Sequence, residues 1–321
     1  MEDNIAFIGI GAMGYGMAAN LRRKMLQEAT LYVNDPNAGA CKRFVSEFND
    51  HGPVEILGTA KEAAERAGTL LSMVPRPDDV RKIYLDPETG VIAAAPNTDL
   101  KSTLLVDSST IDPATTREVG EKLMKAGVGT YVDAPVSGGI ARAADGGLAF
   151  MIGHPPTPSP TQIRIQSLIQ KMGNPEKVFF CGPLGSGLAA KISNNYLSGS
   201  FNVAISQAMS IGILSGVDPQ TLYNVIKSSS GQSWMAENHQ PVPGLVASAP
   251  SSRGWERSFG HAMMMKDLEL GVAAAKEVGV EPTMGERALE MYQTAVEDDD
   301  VKDLDYTSIY KLVNKGLTER Q

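Results

Sequence analysis

The chain is poor in the side chains that build disulfide frameworks and metal sites. It has two cysteines among 321 residues, Cys41 and Cys181, which lie far apart in the sequence. Such sparse cysteine usage is typical of a reducing compartment and argues against a disulfide framework. The four histidines lack the spacing of zinc ligands, so we expect no bound metal.

Basic charge and long apolar runs are also scarce. The chain has 29 Lys and Arg residues against 37 Asp and Glu residues, a net charge of -8, and the basic residues are scattered. We therefore expect no surface for nucleic acid or for an anionic membrane. No apolar run is long enough to span a bilayer. Because the first predicted strand begins at Ile5, we expect no targeting segment and a cytoplasmic protein; the mitochondrial matrix is the alternative if a presequence was removed.

The first part of the chain has the pattern of a parallel sheet covered by helices. From Ile5 to Cys181, short apolar runs alternate with helical patterns, which predicts an α/β Rossmann-type doubly wound domain over residues 1–182. The predicted strands cover residues 5–9, 30–34, 69–74, 104–107, 129–133, 149–153 and 178–181.

The β signals stop after residue 181, and the remainder, residues 183–321, is predicted to be all-α. It begins with a long interdomain helix over residues 187–215, after which Gly216 supplies a C-cap and Asp218-Pro219 opens the next helix. Later helices are predicted over residues 221–227, 260–277, 283–297 and 307–315. We expect this domain to contact substrate and to form homodimers or homotetramers.

A glycine-rich turn follows the first predicted strand. Gly9, Gly11 and Gly14, with Ala12 and Met13 between the last two, form a Gly-x-Gly-x-x-Gly motif that opens a helix. In this context the glycines permit a tight turn, a close approach of the backbone to a pyrophosphate, and close helix–strand packing. The motif therefore predicts a dinucleotide site.

The end of the second strand bears on the choice of dinucleotide. Asp35 lies where a carboxylate would accept hydrogen bonds from the adenosine ribose, and Pro36 offers nothing to a 2′-phosphate. We therefore expect NAD. The basic pair Lys42 and Arg43 leaves NADP open as the alternative.

Two further strand ends, residues 73–75 and 107–110, should line the nicotinamide half of the cofactor. The Ser-Ser-Thr sequence at residues 108–110 has an alternative interpretation, since it could cap the helix that begins near Asp112-Pro113. The two roles are compatible.

Two segments favour a binding site for an anionic substrate. Ser137, Gly138 and Gly139 follow a strand and can form an anion nest, although a simple glycine turn is the alternative. Lys191 and Asn195 lie four positions apart on one helix face. A buried ammonium is costly unless it meets an anionic or polar group; the alternative is a solvated helix face with a stray lysine.

Four stretches carry a family resemblance: the glycine turn with residues 17–21 behind it, residues 107–113 (DSSTIDP), residues 133–139 (DAPVSGG), and residues 185–195 with their Lys-x-x-Asn-Asn. The chain resembles the β-hydroxyacid dehydrogenases from end to end, and within them the 3-hydroxyisobutyrate dehydrogenases. Residues 229–244 and 266–268 (Lys-Asp-Leu) resemble the same subgroup. Tyr15 and Gly16 depart from the family pattern, which usually has a small residue and a proline there.

The resemblance implies NAD-dependent oxidation of 3-hydroxyisobutyrate, or a related small 3-hydroxy acid, to its semialdehyde, as in valine breakdown, with Lys191 as the catalytic acid/base. It implies substrate contacts from Ser137, Gly138, Gly139, Asn195 and Trp234. It implies dinucleotide contacts from Val74, Pro75, Asp79, Thr110, Phe259 and Lys266. Trp234 and Phe259 could equally be core or interface aromatics. A reductase of glyoxylate or succinic semialdehyde is the rival enzyme, and a catalytically silent dinucleotide-binding module is the rival outside enzymes.

Overall fold

A computed structural model describes residues 3–315 of the chain. The chain divides into two compact units, Met1–Lys191 and Ile192–Gln321. The predicted domain boundary after residue 182 stays a prediction, and the outermost residues assigned to the two predicted domains, 1–2 and 316–321, lie outside the described residues.

The first unit is built on a six-stranded parallel sheet. Its strands, in chain order, are β1 (Ile5–Ile8), β2 (Leu31–Asn34), β3 (Val54–Ile56), β4 (Thr69–Ser72), β5 (Leu104–Asp107) and β6 (Thr130–Asp133). They lie in the order β3-β2-β1-β4-β5-β6, and every neighbouring pair is parallel. This is the doubly wound order, in which ligands bind beyond the carboxyl ends of the strands where the order reverses. The predicted fold class is confirmed.

A second, three-stranded sheet follows in the same unit and corrects the predicted strand list. It consists of β7 (Val136–Ser137), β8 (Leu148–Ile152) and β9 (Gly173–Phe180). Strand β7 is antiparallel to β8, which is parallel to β9. The predicted strands at 149–153 and 178–181 therefore do not extend the main sheet. Strands β3 and β7 were not predicted, because three residues at a sheet edge and a two-residue strand are too short to show a pattern.

Helices cover the strands of the first unit. They are α1 (Ala12–Lys24), α2 (Ala38–Phe48), α3 (Ala60–Arg66), α4 (Pro77–Leu85), α5 (Pro113–Lys125), α6 (Gly139–Asp145) and α7 (Pro160–Ile169), with short 3₁₀ turns at Asn49–His51 and Val91–Ala94. Residues such as Phe7, Leu71 and Val106 are fully buried in the strands. Such near-continuous apolar runs are what a parallel sheet needs, since its central strands are covered on both faces.

Helices make up the second unit, whose described residues include one isolated β-bridge, between Gly260 and Asp305, and no named strand. The helices are α8 (Ser186–Leu214), which begins in the first unit, and then α9 (Pro219–Lys227), α10 (Trp234–Asn238), α11 (His261–Glu277), α12 (Thr283–Glu297) and α13 (Ile309–Val313), with 3₁₀ turns at Pro250–Arg253 and Tyr306–Ser308. The all-α prediction is confirmed for the described residues. Helix α10 was not predicted, because five residues show no helical period.

The junction of α8 and α9 forms as the local sequence predicts. Gly216 has a φ of 93°, and its N–H donates to the Ile213 carbonyl while the Val217 N–H donates to the Gly212 carbonyl. This pair of bonds is a Schellman motif, which needs a left-handed residue and so favours glycine. Asp218 then caps α9 by accepting the Thr221 N–H at 2.8 Å.

Helix α8 is the one described helix that is long and apolar enough for a membrane span by length and composition alone, which is weak evidence, since a core helix of a globular protein passes the same test. By this test alone, α8 does not meet the expectation that no apolar run is long enough to span a bilayer. Lys191 and Asn195 interrupt this helix and are both buried.

Candidate active site

The glycine-rich turn has the geometry of a dinucleotide cradle. Gly9 has a φ of 89°, and a Cβ there would clash with the Met73 carbonyl; a Cβ at Gly14 would clash with the Gly9 carbonyl. Gly11, in contrast, is exposed and has nothing near its absent Cβ. It is also the N-cap of α1, with no side chain to hold the first helical amides. The cradle therefore fits a phosphate at the positive end of α1.

A pocket of about 530 Å³ lies against the N-termini of α1 and α2, lined by Gly11, Ala12, Asn37 and Arg43 among others. Asp35 directly follows β2, and its carboxylate accepts the N–H of the lining residue Asn37 at 2.8 Å. This is the side of the cradle on which the sequence predicts the adenosine ribose.

Arg43 is held in the wall of this pocket by two neighbours. Its guanidinium lies 4.4 Å from the centre of the Tyr15 ring, its Nε donates to the Tyr15 hydroxyl at 3.2 Å, and it pairs with Glu47 at 3.8 Å. The Tyr15 hydroxyl itself donates to Glu47 at 2.6 Å. Burial, and then the bond to Glu47, raise the pKa of Tyr15. The residue that departs from the family pattern, Tyr15, thus takes part in restraining Arg43.

Gly16, the other departure, has a packing reason. A Cβ at this position would lie 2.7 Å from the Ala143 carbonyl carbon of α6. The Asn20 amide donates to the Ala143 and Ala144 carbonyls at 2.9 Å each. Close packing of α6 on α1 therefore requires glycine here.

A buried hydrogen-bond network supports the loop predicted to meet the nicotinamide. The Val74 N–H donates to the Ser109 hydroxyl at 2.9 Å. The Asp107 carboxylate beneath it accepts the Ser109 N–H at 3.1 Å and the Ser72 hydroxyl at 2.8 Å. Burial raises the pKa of Asp107, and the bonds from Ser109 and Ser72 oppose this. The network fixes the Val74 backbone relative to strands β4 and β5.

The other predicted dinucleotide contacts of the first unit lie near these strand ends. Pro75 is exposed and Thr110 is half-buried. Asp79, in the first turn of α4, pairs with Arg76 at 3.2 Å. The cap of α5 is Asp112, which accepts the Thr115 N–H at 2.7 Å, so helix α5 has a cap outside the Ser-Ser-Thr sequence.

The residues of the predicted anion nest lie at the turn from β7 into α6. Ser137 ends β7, and the exposed Gly138 and Gly139 that follow have φ values of 140° and 69°. Both values lie in the region that favours glycine. The turn leads into α6, whose N-cap is Gly138.

Asp133, at the end of β6, is fully buried beside the start of α8. Its Oδ1 accepts the Gly185 N–H at 2.7 Å and its Oδ2 accepts the Leu188 N–H at 2.8 Å. Burial raises the pKa of Asp133, and these backbone donors oppose the rise. No local sequence pattern indicates this contact, since the partners are 52 and 55 residues away.

Lys191 is 8% exposed and Asn195, one turn further along α8, is also 8% exposed. Lys191 therefore does not lie on a solvated helix face. The Asn195 amide donates to Asp267 Oδ2 at 2.6 Å, and Asp267 Oδ1 lies 3.1 Å from the Lys266 ammonium. The buried Asp267 thus joins two predicted site residues. It was not singled out from the sequence, although it stands inside the Lys-Asp-Leu match.

The two predicted aromatic residues lie in the second unit. Trp234 is 63% exposed at the start of α10, with its ring 5.0 Å from the ring of His239. Phe259 is half-buried, lies edge-on to Tyr306 at 5.7 Å, and donates its N–H to Asp305 at 3.0 Å. Their predicted roles stay predictions.

The predicted site residues therefore fall into two sets. The glycine cradle, Asp35, the strand ends, the nest and Lys191 belong to the first unit; Asn195, Trp234, Phe259 and Lys266 belong to the second. Across residues 3–315, no group of three or more His, Cys, Asp or Glu side chains could hold a metal ion.

A doubly wound sheet with a glycine cradle, a buried lysine on the helix that leaves this unit, and a helical unit after it define a dinucleotide-dependent oxidoreductase. Residues 4–182 match the family described as the NAD binding domain of 6-phosphogluconate dehydrogenase, and residues 185–313 match the NAD-binding domain of NADP-dependent 3-hydroxyisobutyrate dehydrogenase.

Whole-chain comparisons agree. The chain is 35% identical to a probable mitochondrial 3-hydroxyisobutyrate dehydrogenase of Dictyostelium discoideum, over 98% of this chain and 92% of that protein. It is 34% identical to the 3-hydroxyisobutyrate dehydrogenase of Pseudomonas aeruginosa, over 96% and 98%. The solved structure of Mycobacterium tuberculosis 3-hydroxyisobutyrate dehydrogenase with L-serine has a TM-score of 0.85 at 32% identity, covering 98% of this chain and 99% of that chain. The chain belongs to the 3-hydroxyisobutyrate dehydrogenase family.

Proposed function

We propose that this protein oxidises 3-hydroxyisobutyrate, or a closely related small 3-hydroxy acid, to its semialdehyde with NAD. The observation that carries the proposal is Lys191, which is buried on α8 one turn before the buried Asn195. A proton acceptor is what alcohol oxidation requires, and a lysine amine can serve as one. Membership of the family supplies the substrate class.

The nicotinamide ring, when bound, accepts the hydride from the carbon that carries the hydroxyl group. The chain supplies the proton chemistry and the orientation. Lys191 Nζ accepts the hydroxyl proton during oxidation and returns it to the aldehyde oxygen in the reverse direction. Only the neutral amine can accept a proton, so the rate of oxidation rises with pH.

The substrate carboxylate is assigned to the nest of Ser137, Gly138 and Gly139, since hydroxyl and amide donors suit an anion. Asn195 orients the substrate, and Asp267 holds the Asn195 amide in one orientation through their 2.6 Å bond. Trp234, exposed in the described chain, is proposed as a wall of the substrate site.

The dinucleotide is assigned first to the cradle of Gly9, Gly11, Ala12, Met13 and Gly14. The remaining proposed contacts come from Asp35, Val74, Pro75, Asp79, Thr110, Phe259 and Lys266. NAD is favoured because the Asp35 carboxylate would bind ribose hydroxyls and repel a 2′-phosphate. NADP remains the alternative, since the family matched by residues 185–313 is described for NADP-dependent enzymes.

One observation supports a second substrate. The Mycobacterium tuberculosis structure was solved with L-serine, which is itself a small 3-hydroxy acid. Structural similarity to imine reductases and reductive aminases, at 14–16% identity, shows the fold alone.

A substrate panel tests the proposal. Formation of reduced dinucleotide is measured with 3-hydroxyisobutyrate, L-serine, glycerate and 4-hydroxybutyrate, each with NAD and with NADP. We expect the highest kcat/KM for 3-hydroxyisobutyrate with NAD. A higher value for 4-hydroxybutyrate would assign the chain to the semialdehyde reductases, and dinucleotide binding without turnover would identify a silent module; either result contradicts the proposal.

We also infer that the protein forms a homodimer or homotetramer through its helical unit. Leu197, Phe201, Ile211 and Leu214 of α8 and Val225 of α9 are large apolar side chains at least 40% exposed. Apolar surface of this kind is typical of subunit interfaces. Sedimentation at twice or four times 34.2 kDa would support this, and a monomer would contradict it. Acidic net charge argues against nucleic-acid and membrane partners. The proposed location is the cytoplasm, or the mitochondrial matrix, since the Dictyostelium relative is named as mitochondrial.

A further inference from the structure

We infer that Asp133 is a positioning residue, whose buried carboxylate holds the first turn of α8, and thereby Lys191, in its working place. The inference rests on the proposed function, because it assigns Asp133 an effect on catalysis through Lys191. The inference does not require Asp133 to contact substrate or cofactor.

The contact replaces an ordinary helix cap. The first N–H groups of a helix have no partner within the helix, and the side chain of the N-cap residue usually accepts one of them. At α8 the acceptor is the carboxylate of Asp133, which binds the amides of Gly185 and Leu188 at 2.7 and 2.8 Å. A carboxylate here is also favoured by the positive end of the helix dipole. The start of α8 is therefore bonded directly to the end of β6.

Two glycines make room for this carboxylate. A Cβ at Gly153 would clash with the Asp133 carboxylate. A Cβ at Gly187 would clash with the Met151 carbonyl and lie 2.8 Å from Asp133 Oδ2. The Gly153 N–H also donates to the Asp133 carbonyl at 2.8 Å. Strand β6, the end of β8 and the first turn of α8 are thus packed backbone against backbone around one side chain, which leaves the helix little freedom to shift.

The position of Asp133 in the chain connects this packing to the proposed chemistry. Lys191 lies three residues after Leu188, less than one helical turn from the bond. Ser137, the first residue of the proposed carboxylate nest, lies four residues after Asp133. A displacement of a reacting group by about 1 Å can cost about 10²-fold in rate. The rate of proton transfer is therefore expected to depend on a side chain that never meets the substrate.

The substitution Asp133→Asn tests the inference. An amide keeps the size of the side chain, but its NH₂ group faces an N–H where the carboxylate had accepted one, so one bond becomes a repulsion. We expect kcat for 3-hydroxyisobutyrate to fall by about 10- to 100-fold. The primary deuterium isotope effect on kcat should rise as the chemical step becomes limiting. The dissociation constant of NADH should stay within about two-fold of wild type, because the glycine cradle lies on a different element.

Val132→Ala is the matched control. Val132 is the preceding residue of β6, is 1% exposed, and points to the opposite face of the sheet. Its truncation lowers the melting temperature by leaving a cavity but keeps the carboxylate, so kcat per folded molecule and the isotope effect should match wild type. If Asp133→Asn behaved in the same way, losing stability with an unchanged isotope effect, Asp133 would be merely structural and the inference would be overturned.

Gly187→Ala provides a second variant that does not depend on the folding of Asp133→Asn. Alanine favours a helix over glycine, yet its methyl group would clash with the Met151 carbonyl and lie 2.8 Å from Asp133 Oδ2, and so would push the first turn of α8 away from both. A loss of kcat with a raised isotope effect shows that the chemical step depends on the place of this turn, as the inference requires, and wild-type kcat overturns it.

Hydrogen exchange separates this inference from the proposed function, because it needs no substrate. In Asp133→Asn the amides of residues 185–188 should exchange faster than in wild type, while those of α5 stay unchanged. Unchanged exchange at residues 185–188 would show that the Asp133 carboxylate does not hold the first turn of α8, and would refute the inference. If the wild-type protein oxidised no hydroxy acid, the proposed function would be refuted, but faster exchange in Asp133→Asn would still show that Asp133 holds the first turn of α8.

Discussion

His261 begins helix α11 fully buried, with its Nε2 2.8 Å from the Ser308 hydroxyl. Burial lowers the pKa of His261 from its ordinary value near 6.5 to about 4, although Asp305 opposes the shift. The ring is therefore neutral in the folded protein at pH 7. The same physical cause, burial, raises the pKa values of the carboxylates of Asp107 and Asp133.

The pKa of His261 predicts a loss of stability in mild acid. Between pH 6.5 and about 4 the unfolded chain takes up a proton at this ring and the folded chain does not, so the free energy of unfolding falls as pH falls. The loss has an upper limit of about 3 kcal/mol. The variant His261→Gln keeps a hydrogen-bonding group for Ser308 but does not titrate. Its melting temperature should depend less on pH across this range; an unchanged pH dependence would contradict the assignment.

Some residues of the candidate site could not be recognised from the sequence, because their contacts are with residues far away along the chain. Lys191, Asn195 and Lys266 were predicted as site residues, because each of them stands in a recognisable local pattern. Asp133 and Asp267 stand inside the matched stretches but received no role, because a carboxylate at a strand end or inside a helix looks the same whether it faces water or a partner 55 or 72 residues away.

Helices α1 and α2 meet at Tyr15, Arg43 and Glu47, and this contact bears on the choice of dinucleotide. Arg43 lines the pocket beside Asn37 but is engaged by Glu47 and by the Tyr15 ring. A guanidinium is the group that best binds a phosphate. Its restraint by Glu47 agrees with a preference for NAD.

The substitution Glu47→Gln should therefore improve binding of the phosphorylated dinucleotide. Loss of the exposed ion pair releases Arg43, and we expect the dissociation constant of NADPH to fall about two- to five-fold, since exposed pairs contribute up to about 1 kcal/mol. The dissociation constant of NADH should change little. Fluorescence titration measures both. The double variant with Arg43→Ala is the control and should lose the gain; NADPH binding that is unchanged in Glu47→Gln would show that Arg43 does not limit the choice.

Elements with strong local signals were predicted, and elements that depend on partners were not. The Gly216 cap, the Asp218-Pro219 start and the glycine cradle follow from backbone geometry that a few residues fix. Strand β3 and the separate sheet of β7, β8 and β9 depend on pairing with distant strands. Strand β9 begins at Gly173, whereas the predicted strand began at residue 178. The prediction missed the first residues of the strand because they are polar and largely exposed.

At the scale of the whole molecule, the order of the two fold classes along the chain was predictable. Apolar runs separated by helical patterns specify a parallel sheet, and their end near Cys181 marks the change to helices. The assignment of the candidate site needed more. The glycine cradle, the nest and the buried lysine are each weak evidence of a dehydrogenase site when taken alone. They indicate one together because they occur in order in a chain of this family.

Turnover of the variant Lys191→Ala tests the central claim most directly. The alanine variant is compared with wild type and with Lys177→Ala, which removes an exposed lysine of β9, by measuring kcat for 3-hydroxyisobutyrate across pH and the dissociation constant of NADH. We predict that Lys191→Ala lowers kcat by about 10² to 10⁴, the contribution typical of general acid–base catalysis, and abolishes the rise of activity with pH. Binding of NADH should be nearly unchanged, and Lys177→Ala should match wild type. Wild-type turnover and pH dependence in Lys191→Ala would remove this lysine from the mechanism.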